Sequence, residues 1–278
     1  MSVAVLVDSS SAITKEVAEK YHVRVVPLHL VWDGKEYADW VDMTPEEFYA
    51  RLKAAKTLPT TSGSVQGEFY NMFEKLRGKV DGIVAITLSP NTPSAGYSSA
   101  LMAKDMVEGV PVEVVDGHFT VTGLGLVATA AAQAATAGAS LEQVVQAAKS
   151  VIPRMNVFFN PGSISYFLRL GRVAESEVSS REESYILTIK EGKITPCEQY
   201  ATREEARRRL QNLVKEKARK DTPLHAAVLH AAARDEAEEF KKWLASQYNC
   251  VELWIGEAPP VLAIHLSPES LGVAFYNE

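Results

Sequence analysis

The chain has 278 residues, 46% of them hydrophobic, which is enough to bury the core of one large domain or two smaller ones. Its formal charge of −6 provides no broad basic surface, so nucleic acid is not an expected partner. No signal-peptide pattern and no run of about 18 uncharged apolar residues occurs, so we expect a cytoplasmic protein without stable membrane insertion. Cys197 and Cys250 fit neither a metal site nor a disulfide framework, and no cofactor is expected.

The first half of the chain alternates short apolar runs with amphipathic segments. Strands are predicted at residues 3–7, 23–31, 82–88 and 110–115. Helices are predicted between them, and two begin with capping boxes, Thr44 with Glu47 and Ser140 with Gln143. Residues 119–139 are rich in Ala, Gly and Thr and predict a buried helix, in which Gly123 and Gly125 allow close packing. This alternation favours a mostly parallel sheet with helices on both faces.

The pattern changes after Pro153. Residues 185–190 and 193–201 predict a β-hairpin around Glu191 and Gly192. Further strands are predicted at 224–231, 251–255, 261–265 and 272–276, with helices at 203–220 and 235–248. We therefore predict an α/β protein with two lobes. Residues 1–155 form an N-terminal lobe with a mostly parallel sheet flanked by helices, and residues 156–278 form a C-terminal α+β lobe with a mixed sheet.

Two turns rich in hydroxyl groups, at residues 59–64 and 89–97, precede predicted helices. A helix start has unpaired N–H groups and a partial positive charge, so Ser or Thr at this position can bind an anion such as a carboxylate. Thr61, Ser62 and Ser94 are the candidates. Ordinary helix capping by these side chains is the alternative interpretation.

Acidic residues follow predicted strands or lie on the loops after them. Asp8, Asp42 and Asp116 could bind a metal ion or act as general bases. The interpretation that we favour is structural, with each carboxylate accepting hydrogen bonds from loop N–H groups.

A catalytic triad is a second functional hypothesis. Ser94 and Asp116 could combine with His118 or His265 in a serine-dependent hydrolase or a phosphoryl-transfer enzyme. Ser94 is not part of a G-x-S-x-G nucleophile turn, which favours the binding hypothesis over the enzyme.

Short motifs spread over nearly the whole chain occur in a characteristic order. They include Val7-Asp8-Ser9-Ser10, Val25-Val26-Pro27-Leu28, Pro59-Thr60-Thr61-Ser62, Ser94-Ala95-Gly96-Tyr97, Gly171-Arg172-Val173 and His265-x-x-Pro268. In this order and spacing the chain resembles the DegV family.

The resemblance implies a two-lobed protein, without catalytic activity of its own, that binds one long-chain fatty acid such as palmitate. It implies that the carboxylate lies between the lobes, bound by Thr61 and Ser94. Ser62 of the first hydroxyl-rich turn and His265, which is retained from the family's pattern, are further predicted ligand-binding positions. The tail would occupy an apolar tunnel in the second lobe. Segments 155–159, 164–168 and 261–264 are candidate walls, or else core.

The resemblance also implies a partner, because some members of the family present the fatty acid to a separate fatty acid kinase catalytic subunit. Ala201 stands where kinase-associated members carry an arginine, with Arg203 close by.

Overall fold

The computed structural model describes residues 2–55, 57–61, 65–92, 94–169, 171–181 and 183–278. Within these residues the strands form a parallel sheet, a mixed sheet and a small sheet of short strands. The strands are β1 Val3–Asp8, β2 Val23–Val26, β3 His29–Trp32, β4 Lys35–Ala38, β5 Thr60–Thr61, β6 Gly82–Thr87, β7 Val112–Asp116, β8 Asn156–Asn160, β9 Ser184–Lys190, β10 Lys193–Tyr200, β11 Leu224–Ala231, β12 Cys250–Glu257 and β13 Ser270–Asn277. The helices are α1 Lys15–Tyr21, α2 Pro45–Ala54, α3 Gln66–Leu76, α4 Gly96–Met106, α5 Val121–Thr136, α6 Leu141–Val151, α7 Ile164–Arg169, α8 Arg203–Lys217, α9 Arg234–Gln247 and α10 Pro260–Ala263.

The parallel sheet has the strand order β2-β1-β6-β7, and each neighbouring pair is parallel. Every residue of β6 is buried, as are five of the six residues of β1. Continuous apolar runs are typical of strands covered on both faces, so these two segments take the centre of the sheet. The predicted parallel sheet is confirmed.

The mixed sheet has the order β10-β9-β8-β13-β11-β12, and all its strands come from Asn156 onward. Only the β11–β12 pair is parallel. The predicted hairpin is confirmed: β9 and β10 are joined by Glu191 and Gly192, whose φ angles of +49° and +77° suit a tight two-residue turn. Helices α8 and α9 cover one face of this sheet.

Helix α5 lies between the two large sheets, in contact with β1 on one side and with β11 and β13 on the other. Its glycines permit this close approach. A Cβ atom at Gly125 would lie 2.8 Å from the Trp254 ring and 3.0 Å from the Ser11 carbonyl oxygen, and one at Gly123 would lie 2.9 Å from Val157. The buried helix and the packing role of its glycines are confirmed.

Local signals at helix starts also predicted the structure correctly. Thr44 and Glu47 form a capping box at α2, and Ser140 and Gln143 form one at α6. No helix in the described ranges is long and apolar enough to cross a bilayer.

Two predicted strands were wrong. Residues 23–31 are not one strand, because the chain leaves the parallel sheet at Pro27 and continues as β3 in the small sheet, which has the order β4-β3-β5. Residues 261–265 form no strand. Pro260 begins the short helix α10, and the N–H groups of Leu262 and Ala263 both donate to the Pro259 carbonyl at 2.8 Å.

Candidate ligand cavity

A cavity of about 700 Å³ lies between residues of both halves of the chain. The first half contributes the ends of β3 and β5 and the turn that precedes α4, and the second half contributes residues 171–177, the start of β10 and α10. Small-molecule sites usually measure about 300–1,000 Å³. The cavity therefore has the size of a site for one small organic ligand.

Three of the predicted ligand-binding residues line this one cavity, namely Thr61, Ser94 and His265. Ser62 lies outside the described residues. Because these three side chains are far apart in sequence, it is the fold that brings them together.

Thr61 does not lie at a helix start, which corrects part of the sequence interpretation. It belongs to β5 and pairs with Leu30 of β3, whereas α3 begins only at Gln66. Ser94 does precede a helix, and its Oγ accepts a hydrogen bond of 3.2 Å from the Gly96 N–H. This bond leaves the hydroxyl proton of Ser94 available to a ligand.

Arg172 is the main residue of the cavity to which the sequence interpretation gave no role. One of its guanidinium nitrogens, Nη2, lies 3.4 Å from His265 Nε2. The other, Nη1, is buried without a hydrogen-bond partner among the described residues, as is His265 Nδ1. The only sequence signal was the Gly171-Arg172-Val173 motif, which carries no information about the buried environment.

The charge of this wall follows from burial. Desolvation, together with the charge of the neighbouring Arg172, lowers the pKa of His265 to about 4, so the imidazole is neutral at pH 7. Burial also lowers the pKa of Arg172, but a guanidinium keeps its proton in proteins. The wall therefore carries the positive charge of the half-buried Arg172, whose Nη1 is buried, and an anion would offset the cost of this arrangement.

Two buried carboxyl groups form hydrogen bonds with residues that line the cavity. Asp8 accepts hydrogen bonds from the Leu88 N–H at 2.9 Å and from Ser10, both of which line the cavity. Asp39 accepts a bond of 3.3 Å from the N–H of Val261, another lining residue. Desolvation raises the pKa of Asp8 to about 6 and that of Asp39 to about 7.

Asp116 supports the turn before α4 and does not line the cavity. It accepts hydrogen bonds from Ser89 Oγ at 3.3 Å and from the His118 N–H at 2.8 Å. Its nearest imidazole is His118, with Nε2 at 3.7 Å. Its carboxylate is thus engaged with Ser89 and His118, which weakens the case for a triad that combines Asp116 with Ser94 and His265.

The structural interpretation of the strand-end acids is confirmed, since each accepts from a backbone N–H. Asp8 binds the N–H groups of Ser10 and Leu88, Asp42 binds that of Ala38, and Asp116 binds that of His118. No group of three or more His, Cys, Asp or Glu residues within the described ranges could hold a metal ion.

The apolar part of the wall is shared by both halves of the chain. Leu28 and Val65 come from the first half, and Ile194, Val261 and Leu262 from the second. Of the candidate wall segments, only 261–264 contributes to this cavity. In the other two segments, residues 157–159, Ile164 and Phe167 are buried in the core. Ser165, Tyr166 and Leu168 are half-buried and line a separate cavity of about 370 Å³.

The fold and the cavity define an α/β protein with two large sheets and a half-buried arginine on a cavity wall. The chain belongs to the DegV family, whose model, described as "Uncharacterised protein, DegV family", matches residues 2–278. A DegV domain-containing protein of Clostridium perfringens is 30% identical, with all of both chains covered.

Solved structures of related proteins match the fold of this chain over its whole length. DegV of Bacillus subtilis, described as a fatty acid binding protein, has a TM-score of 0.91 at 29% identity and full coverage of both chains. A Thermotoga maritima protein described as revealing fatty acid binding function has a TM-score of 0.87 at 26% identity, again with both chains covered completely. The predicted family and fold class are confirmed.

Proposed function

We propose that this protein binds one long-chain fatty acid, with the carboxylate facing Thr61, Ser94, Arg172 and His265 and the tail in the apolar part of the cavity. The observation that carries the proposal is the buried Nη1 of Arg172, which has no hydrogen-bond partner among the described residues, on the cavity that Thr61 and Ser94 also line. The fatty acids bound by solved relatives at more than 25% identity support the same ligand class. We keep Ser62 as a proposed contact.

The physical chemistry of a fatty acid suits this cavity. A tail of sixteen carbons buries about 15 methylene-sized groups at roughly 0.8 kcal/mol each, a gross gain of about 12 kcal/mol. Association and ordering consume a large part of this gain. Hydrogen bonds to the charged head contribute about 1.5–3 kcal/mol each, so they set orientation and select a carboxylate.

We propose a carrier without catalytic activity, working in the cytoplasm, with residues 1–155 and 156–278 as its two lobes. A fatty acid kinase catalytic subunit is the proposed partner. Arg203, the arginine closest to Ala201, forms ion pairs with Glu236 and Glu269. Arg203 is therefore already paired and does not replace the arginine that kinase-associated members carry at the position of Ala201.

The ligand class is tested by organic extraction and mass spectrometry of the purified protein, with a stoichiometric long-chain carboxylic acid as the expected result. The head contacts are tested by titrating palmitate and methyl palmitate into Thr61→Ala, Ser94→Ala and Arg172→Met variants. Each variant should weaken palmitate binding about tenfold or more, because a charge-assisted hydrogen bond is lost, and should change methyl palmitate binding much less.

Thr60→Ala is the matched control, because Thr60 neighbours Thr61 in β5 and projects to the opposite face. Equal losses for acid and ester would remove the proposed head contacts. Turnover of an acyl ester or acyl phosphate that Ser94→Ala abolishes would instead support the enzyme hypothesis.

A further inference from the structure

The turn that carries Ser94 also contacts the tip of the β9–β10 hairpin from the other half of the chain. Asn91 Nδ2 donates a hydrogen bond of 3.0 Å to the Glu191 carbonyl, and Thr92 Oγ1 donates one of 3.1 Å to the Gly192 carbonyl. Both acceptors belong to the two-residue hairpin turn, outside the ladder of bonds between the strands. The side chains of one half therefore hold the hairpin tip of the other.

The fit at this contact is close. A Cβ atom at Gly192 would lie 2.4 Å from Ser89 Cβ and 2.5 Å from Ser89 Oγ, so only glycine allows the tip to approach. Gly192 also has a φ of +77°, which strains any other residue. Ser89 is itself fixed, since its Oγ donates to Asp116 and accepts from the Asn91 N–H at 3.3 Å.

The hairpin tip extends beyond the support of the mixed sheet. Strand β10 is an edge strand and pairs with β9, while β9 pairs with β8 at Thr188 and Leu187. Residues 189–194 continue past this pairing. Ile189 is buried in the core and Ile194 packs against it, whereas Glu191 and Lys193 at the tip are exposed. Because an isolated two-stranded hairpin is only marginally stable, the contact with the Ser94 turn adds an anchor at the tip itself, beyond these two apolar side chains.

The anchored tip closes one side of the cavity. Asn91, Thr92 and Gly192 line it, and so do Lys193 and Ile194, which follow the tip in β10. We infer that the tip of the β9–β10 hairpin is the gate of the cavity and that Asn91 and Thr92 hold it closed. The inference rests on the proposed function, because it concerns the entry and exit of the fatty acid.

This arrangement links the gate to the head of the ligand. Ser94 N–H donates to the Thr92 carbonyl at 2.7 Å, so Thr92 and Ser94 move as parts of one short turn. When the tip leaves this turn, the cavity opens beside the proposed carboxylate contact. Entry and exit are therefore expected to be limited by release of the tip and not by the affinity of the tail.

The test is the kinetics of cis-parinaric acid, a fluorescent fatty acid, measured by stopped-flow binding and by displacement with palmitate. The Asn91→Ala/Thr92→Val double variant loses both anchoring hydrogen bonds and should raise the association and dissociation rates about tenfold each. The dissociation constant should change by less than about threefold, because a gate alters both rates equally. Gly192→Ala, whose added methyl group meets Ser89, should change both rates in the same direction.

Asn71→Ala/Thr136→Val repeats the same chemical changes at exposed helix positions and should exchange the probe at the wild-type rate. Hydrogen exchange at residues 189–194 gives a readout that needs no ligand, and the double variant should exchange faster there. Wild-type rates in the double variant would overturn the gate. A faster dissociation with unchanged association would also overturn it, because Asn91 and Thr92 would then contact the ligand directly. If the wild-type protein binds no probe, the proposed function fails instead.

Discussion

Asp39→Asn should change how the stability of this protein depends on pH. Asp39 is fully buried, its Oδ2 has no hydrogen-bond partner among the described residues, and its Oδ1 accepts from the Val261 N–H. Desolvation raises the pKa of this carboxyl from 3.8 to about 7, although bonds from Ser9 and Val261 oppose the rise. The folded protein therefore binds this proton more tightly than the unfolded chain does.

The sign follows from linkage between proton binding and folding. When the pKa of an acid is higher in the folded state, its stabilising contribution is complete below the unfolded pKa and disappears as the pH rises through the folded pKa. With pKa values of 3.8 and about 7, the free energy of unfolding loses about 2–3 kcal/mol from Asp39 between pH 5 and pH 8. The asparagine variant cannot lose this contribution.

The assay is urea unfolding of both proteins at pH 5 and pH 8, analysed as the difference between variant and wild type. The difference is needed because burial lowers the pKa of His230 and His265 to about 4. Their contribution to the free energy of unfolding therefore decreases as the pH falls, opposite to the contribution of Asp39. The histidine contributions cancel in the comparison. The Asp8 contribution does not, because the charge of Asp8 raises the pKa of Asp39, and the measured change therefore belongs to the Asp8–Asp39 pair. The free energy of unfolding of Asp39→Asn minus that of wild type should increase by about 2–3 kcal/mol between pH 5 and pH 8. A difference between the two proteins that is the same at both pH values does not affect this result.

Asp42→Asn makes the same chemical change at an exposed side chain that accepts a hydrogen bond from Ala38, and it is the control. The reasoning would be refuted if the difference between Asp39→Asn and wild type stayed within about 0.5 kcal/mol across this pH range, well below the expected change.

Three further substitutions test the packing by chemical unfolding. Gly125→Ala should lower the free energy of unfolding by about 1–3 kcal/mol, because the added methyl group meets the Trp254 ring. An unchanged free energy of unfolding would contradict this contact. Ser140→Ala should cost about 1 kcal/mol through loss of the α6 cap, and the loss should not affect ligand binding. Asn160→Ala should cost about 2–4 kcal/mol, because the buried Asn160 accepts from Arg207 Nε at 3.0 Å and donates to two groups of the β9 strand; a cost below 1 kcal/mol would show that water replaces it.

Local patterns in the sequence were sufficient for much of the fold. The apolar runs of β1 and β6 predict strands with two covered faces, and the capping boxes at Thr44 and Ser140 mark helix starts within one residue. These features depend on neighbours in the chain, so periodicity and capping chemistry capture them.

Features that depend on tertiary contacts were missed. All four residues 261–264 are buried, so an apolar run there fits a strand or a helix equally, and Pro260 starts a helix. Thr61 was expected at a helix start but joins β5 through pairing with Leu30, a long-range contact. The hydroxyl-rich turns supplied the candidates Thr61 and Ser94, and the resemblance to the DegV family gave them a shared ligand, whereas the environment of Arg172 appears only in three dimensions.

The placement of α5 has a consequence for how the molecule can be divided. One helix supplies packing surface to both large sheets, so a chain cut near residue 155 would leave it with half of its partners and expose the rest of its apolar surface. Neither fragment is expected to be an autonomous folding unit. Calorimetry of the intact chain should accordingly give a single heat-absorption peak, and two separated peaks would show that the helix belongs to one sheet alone.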